Sequence, residues 1–173
     1  MSAPELWSCL LQSLIPVIGS QWFPLVSLVS IFLIRNSGRV LMGCRGNWDL
    51  IRHHDSLCDV LFSAAQSAAL APQKEMPSLI PGSCARPADV FLSHRDGGRP
   101  AALDVTIISS LQAATVADSA VIQGSALGVA EARKLLMHAA ACHQVGVNFF
   151  PLAVEVLGGW SLPAVSIICS IGR

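Results

Sequence analysis

Arg86-Pro87-Ala88-Asp89-Val90-Phe91-Leu92 and, after a polar turn, Ala101-Ala102-Leu103-Asp104-Val105-Thr106-Ile107 are two short apolar runs, each with one acid set inside it. Between them, Ser93 to Pro100 carries Asp96-Gly97-Gly98 and Pro100, which is turn chemistry, so the stretch predicts a β-hairpin. Side chains alternate along a strand, which puts Ala102, Asp104, Thr106 and Ile108 on one side and Leu103, Val105 and Ile107 on the other. Asp104 and Thr106 therefore face the same way, and pairing of the strands brings Asp89 towards Asp104. A carboxylate in sequence this apolar is costly unless something compensates it, and a divalent cation with oxygen ligands is one natural compensation. The competing expectation is structural, with Asp89 paired to Arg86 and Asp104 paired to Arg99 or set at a solvated sheet edge.

Working outward towards the N-terminus, Ser78-Leu79-Ile80-Pro81-Gly82 is a short apolar run closed by a turn. It is the expected first strand, confined by Pro81 to an edge or a strand end. Residues 52 to 70 place Leu57, Val60, Leu61, Ala64 and Ala68 on one helical face, with His54 or Asp55 near the N-cap and Pro72 past the end. Asp55 and Asp59, one turn apart, then suit the start of the helix dipole.

On the other side of the hairpin, Ser109 to Gly124 reads as a loop with a weak helix around 112 to 121. Residues 126 to 144 predict the best helix of the chain, capped by Gly146. Glu131, Lys134 and His138 fall on one stripe, with Leu135, Ala139 and Cys142 close to the opposite side. The plain expectation for Glu131 and Lys134 is an exposed ion pair, with His138 a surface histidine. Val147 to Val156 reads as a buried strand with Glu155 near its end. Ser161-Leu162-Pro163 opens a last helix running to Arg173, with Trp160 stapling its start.

Composition sets the bounds. The chain has 173 residues, and its 11 basic and 11 acidic residues give no overall field that would attract nucleic acid. Hydrophobic content of 53% exceeds the usual globular share, and much of the excess lies in the first forty residues. Leu6 to Ile34 contains no charge and is a weak membrane-spanning candidate, with Trp7 and Trp22 as interfacial anchors, although Pro16, Gly19 and Pro24 interrupt it. Residues 1–43 are thus an apolar leader of separate character, and residues 44–173 form the folded unit. Six cysteines without paired spacing fit reduced thiols inside a cell. With no Cys-x-x-Cys or His-x-His pattern, no zinc site is read.

The order helix, two or three strands, helix, strand, helix, with two acids on the hairpin, resembles the αβββαβ core of the restriction-endonuclease-like PD-(D/E)XK superfamily, an α/β fold. Arg86-Pro87-Ala88-Asp89, fourteen residues, and Asp104-Val105-Thr106 fill the two motif positions. With Arg52-His53-His54-Asp55, Glu131-Ala132-Arg133-Lys134 and Val154-Glu155-Val156-Leu157-Gly158-Gly159-Trp160, the second unit resembles the endonuclease domain downstream of the reverse transcriptase in site-specific non-LTR retrotransposons of animals.

The resemblance implies a metal-dependent nuclease that nicks DNA, has no small-molecule cofactor and works inside the cell, in the nucleus. Asp89 and Asp104 would hold Mg²⁺, Lys134 would supply the cation that usually follows the second acid, and Glu131 or Asp59 would orient water, with Thr106 and Glu155 as secondary candidates. Arg86, Arg95 and Arg99 would contact nucleic acid. The pattern departs from the family at Thr106, which stands where lysine is usual, and in lacking the upstream Cys/His knuckle. A catalytically silent remnant that binds nucleic acid weakly, and a small membrane-attached protein with structural acids, are the alternatives.

Overall fold

The computed structural model describes residues 47–95, 98–156 and 159–171. Helix α1 (Asn47–Ser67) leads into three strands, β1 (Pro72–Lys74), β2 (Val90–Leu92) and β3 (Ala101–Ile108). A short helix α2 (Val116–Ser119) and the long helix α3 (Ser125–Gln144) follow. Strand β4 (Asn148–Glu155) and helix α4 (Leu162–Ile171) complete the order. The four strands form one mixed sheet in the order β1-β2-β3-β4, antiparallel across the first two junctions and parallel between β3 and β4. The protein is a mixed α/β fold.

The hairpin forms with Val90 opposite Leu103 and Leu92 opposite Ala101. Because β3 reads apolar on both faces, it is covered on both, as a central strand must be. Leu103 and Val105 point into a large core with Leu57, Leu61, Val90, Leu92, Leu152, Val154 and the inner face of α4. Ala102 points the other way, into a smaller cluster with Ala88, Phe91, Cys142 and Val147 beneath α3. Helices α1 and α4 therefore pack on one face and α3 on the other.

Several expectations are corrected. The first strand is Pro72–Lys74, not residues 78–82. Ser78 sits at φ 57, in the left-handed region that no strand residue adopts, and with Pro77 and Pro81 it makes turns. Helix α1 begins at Asn47, so Asp55 lies in its third turn rather than at its start, and the dipole role falls away. The inward stripe of α3 is Leu127, Glu131, Lys134, His138 and Cys142, whereas Leu135 is exposed. Gly146 at φ 74 follows the end of α3 as expected, its N–H donating to the His143 carbonyl at 3.0 Å. Ser161 caps α4 by accepting from the Ala164 N–H at 3.3 Å.

The apolar run 6–34 lies outside the described residues. Among the described residues, no helix is long and apolar enough to cross a membrane.

Candidate functional site

Beyond Leu103, β3 outruns its partner β2, and the two acids lie on either side of the point where the pairing ends. Asp89 N–H donates to the Leu103 carbonyl at 2.9 Å, and its Oδ2 accepts from the Val105 N–H at 2.7 Å. The carboxylate thus takes the place of a strand carbonyl for a residue that β2 no longer reaches. The same oxygen lies 3.2 Å from His54 Nε2, which α1 brings in from one face of the sheet. The expected pairing of Asp89 with Arg86 is not formed. Arg86 instead donates to Glu75 at 3.2 Å on the surface.

Asp104 faces the opposite layer. Lys134 Nζ donates to its Oδ1 at 2.8 Å, whereas Arg99, its expected partner, is exposed. Asp104 is 5% exposed, and its Oδ2 is buried with no hydrogen-bond partner among the described residues. Thr106, on the same face of β3, has its Oγ1 buried in the same condition. Burial raises the Asp104 carboxyl above its ordinary value. Lys134 opposes that rise, and the nearby charge of Asp89 adds to it. The two acids therefore feel each other although each is claimed by a cation from a different layer.

Glu131 and Lys134 do not form the exposed pair that their spacing allows. Glu131 accepts from the Ser161 hydroxyl at the start of α4, one turn along from Lys134 on the same inward stripe. His138, expected on the surface, is half-buried, edge-on to Phe149 with ring centroids 5.6 Å apart.

On α1, His54 and Cys58 stand one turn apart, with Cys58 Sγ 3.8 Å from His54 Nε2 and 3.9 Å from Nδ1. Asp55 Oδ1 lies 3.3 Å from Nδ1. The hydrogen bond to Asp89 holds the His54 imidazolium up to about 11, so the ring is charged at neutral pH. Burial pushes the Cys58 thiol up. The sulfur's near-equal distances to both ring nitrogens put it beside the ring rather than in line with either, which is not the arrangement of a nucleophile and its base. Sequence reasoning missed this cluster. Its signal was His54 and Cys58 at i and i+4 on a helix, without a second cysteine or histidine pair to draw attention to it.

The remaining expected residues lie elsewhere. Asp59 is exposed and bound to Lys74, whose ammonium also lies 5.2 Å from the centre of the Phe62 ring. Glu155 is half-buried at the end of β4, its carboxyl raised by burial. Arg95 donates to Ser170 Oγ at 2.7 Å and lies 4.4 Å from the centre of the Phe150 ring, which ties the hairpin loop to α4. Comparison of the chain with protein families, curated proteins and solved structures found no match.

Proposed function

We propose that residues 44–173 are a retrotransposon-derived, Mg²⁺-dependent DNA-nicking domain with a restriction-endonuclease-like core. The observation that carries the reading is that Asp89 and Asp104 flank the point where the hairpin's pairing ends, near enough for the charge of Asp89 to raise the Asp104 carboxyl, with Lys134 bonded to Asp104. Each comes from a different element, and the lysine enters from the helix that follows the hairpin. The helix, three strands, helix, strand order supports it as well.

What supports the cation is a free oxygen on Asp104; Asp89 is turned towards His54 and would have to swing back to share the ion. The buried Asp104 Oδ2 has no hydrogen-bond partner among the described residues, and a divalent cation would satisfy an oxygen that is costly to leave unpaired. Asp89 and Asp104 would hold the ion, which supplies an activated water and neutralises charge on the phosphate. Lys134 orients Asp104 and brings to that face the positive charge that Thr106 lacks. The Val105 N–H holds Asp89 in its present rotamer. Glu131 steadies the start of α4 through Ser161.

A second reading, a silent copy of the fold, is favoured by the same contacts seen differently. One oxygen of each acid is already engaged, by His54 and by Lys134, so the internal cations satisfy in part what a metal would. A nicking assay on supercoiled plasmid with Mg²⁺ separates the two. The nuclease reading expects open circles from the wild-type chain and none from Asp104→Ala or Asp89→Asn. Equal cutting by all three, or by none, rejects it.

A further inference from the structure

The acid centre is not the whole of what α1 and β2 build. We propose that His54, Cys58 and Asp89 form a three-ligand site for a transition-metal ion of the zinc class. Their donor atoms, a ring nitrogen, a thiol sulfur and a carboxylate oxygen, lie within 4.8 Å of one another.

The distances suit such an ion. A tetrahedral zinc with nitrogen and oxygen at about 2.0–2.1 Å and sulfur at about 2.3 Å separates its donors by roughly 3.3–3.6 Å. Here Nε2 stands 3.2 Å from Asp89 Oδ2 and 3.8 Å from Cys58 Sγ, so the cage closes after the sulfur swings from beside the ring into its plane. The ion would sit to one side of the Nε2–Oδ2 line, which at 3.2 Å is too short to hold it, and its binding would release the Nε2 proton and the Cys58 thiol proton to solvent.

The surroundings are those of a metal site as well. A ligating histidine commonly turns its second ring nitrogen to a carboxylate, and a ligating carboxylate is itself held by a donor. His54 Nδ1 has Asp55 Oδ1 at 3.3 Å, and Asp89 Oδ2 has the Val105 N–H at 2.7 Å. The i and i+4 placement on α1 keeps two of the three donors on one helix face, so a rotation of the Cys58 side chain is enough to bring them together. Cys58 is buried, but the His54 and Asp89 side chains retain 32% and 24% exposure, which leaves an entry path.

The donor set decides the kind of ion. Magnesium and calcium take oxygen ligands, whereas nitrogen with sulfur selects zinc and its neighbours. Three protein ligands leave a fourth position for water or an anionic ligand, which is the coordination of an open rather than a closed zinc site. This site does not rest on the nuclease reading and is tested without DNA, but it shares Asp89 with that reading, so a zinc-class ion held here would compete with Mg²⁺ for Asp89.

The test is titration of the full chain with Co²⁺ followed by Zn²⁺. One equivalent of cobalt is expected to give visible bands of tetrahedral intensity and a near-ultraviolet sulfur-to-cobalt charge-transfer band. Zinc should bleach both, and excess Mg²⁺ should not. Cys58→Ser should abolish the charge-transfer band and weaken binding at least about tenfold, and Asp55→Asn should weaken it by about tenfold. A triple variant, Cys9→Ser with Cys44→Ser and Cys84→Ser, should keep the spectrum. The proposal is overturned by absence of a cobalt spectrum, by survival of the sulfur band in Cys58→Ser, or by its loss in the triple variant. Should Cys58→Ser fail to fold, the rise in melting temperature caused by zinc decides. Loss of that rise in Asp89→Asn supports the site, and its persistence overturns it.

Discussion

Asp104 is a demanding residue, because burial works against its charge while the Lys134 ammonium, with a smaller contribution from His138, works for it. Removing that ammonium in Lys134→Met leaves a buried carboxylate without a counter-ion. A fully buried broken pair costs about 3–5 kcal/mol, and because Lys134 reaches solvent we expect about 2–3 kcal/mol here, read as a fall in urea midpoint at pH 7. Replacing both partners, Asp104→Leu with Lys134→Met, should recover most of that loss; a double variant no better than the single would show that the pair is not what holds this position. Glu155 gives the corresponding pH signature. Burial raises its carboxyl from the ordinary value of 4.5, so the folded chain binds its proton more readily than the unfolded chain does. Stability contributed by the protonated form is present at low pH and is lost as pH rises through the window from 4.5 to the raised value, leaving a charged, partly desolvated group at pH 7. Glu155→Gln should therefore stabilise the chain slightly at pH 7, the effect being small because much of the group stays in solvent, and the gain should vanish below that window. A gain independent of pH would assign the effect to something other than ionisation.

At the scale of the element, how legible each segment was depended on whether its environment followed its polarity. The hairpin was readable because both faces of β3 are buried, and its alternation sorted Leu103 and Val105 from Asp104 correctly. Strand β1 was not, because Pro72-Gln73-Lys74 has the polar chemistry of a protected edge and no apolar signal at all. Helix α3 misled in the opposite direction. Its charged stripe turns inward to Asp104 and Ser161, while Val129, Leu136 and Met137 are exposed, so binary patterning points the helix the wrong way round. Such a reversal is where polarity rules fail, because the inward charges are satisfied by Asp104 and Ser161 instead of by solvent. The end of α3 was legible because it depends on backbone chemistry alone. Gly146 at φ 74 has open space around the position of a Cβ, so Gly146→Ala should cost about 1 kcal/mol through the left-handed conformation and nothing through a clash. A cost several-fold larger in thermal unfolding would mean that β4 had shifted with the turn.

At the scale of the whole molecule the two faces of the sheet are unequally secured. The face towards α1 and α4 buries a continuous set of leucines, valines and isoleucines, whereas among the described residues the cluster beneath α3 is smaller, Ala88, Phe91, Ala102, Cys142 and Val147, with Ala126, Leu127 and Ala153 also buried. Apolar burial stabilises in proportion to area, at roughly 25 cal/mol per Å², so α3 draws less from packing than the opposite layer does. Its polar contacts to Asp104 and Ser161 must supply a larger share of what holds it down. Segments with few buried apolar contacts open at lower free energy than the core. Native-state hydrogen exchange should then find the amides of α3 opening below the global free energy of unfolding, while β3 and the buried turns of α1 around Leu57 and Leu61 exchange only near it. Lys134→Met should lower the opening free energy of α3 further and bring its amides away from the rest. If α3 and β3 exchanged together in both proteins, the helix would be as firmly bound as the core, and its inward charges would be contributing nothing beyond packing.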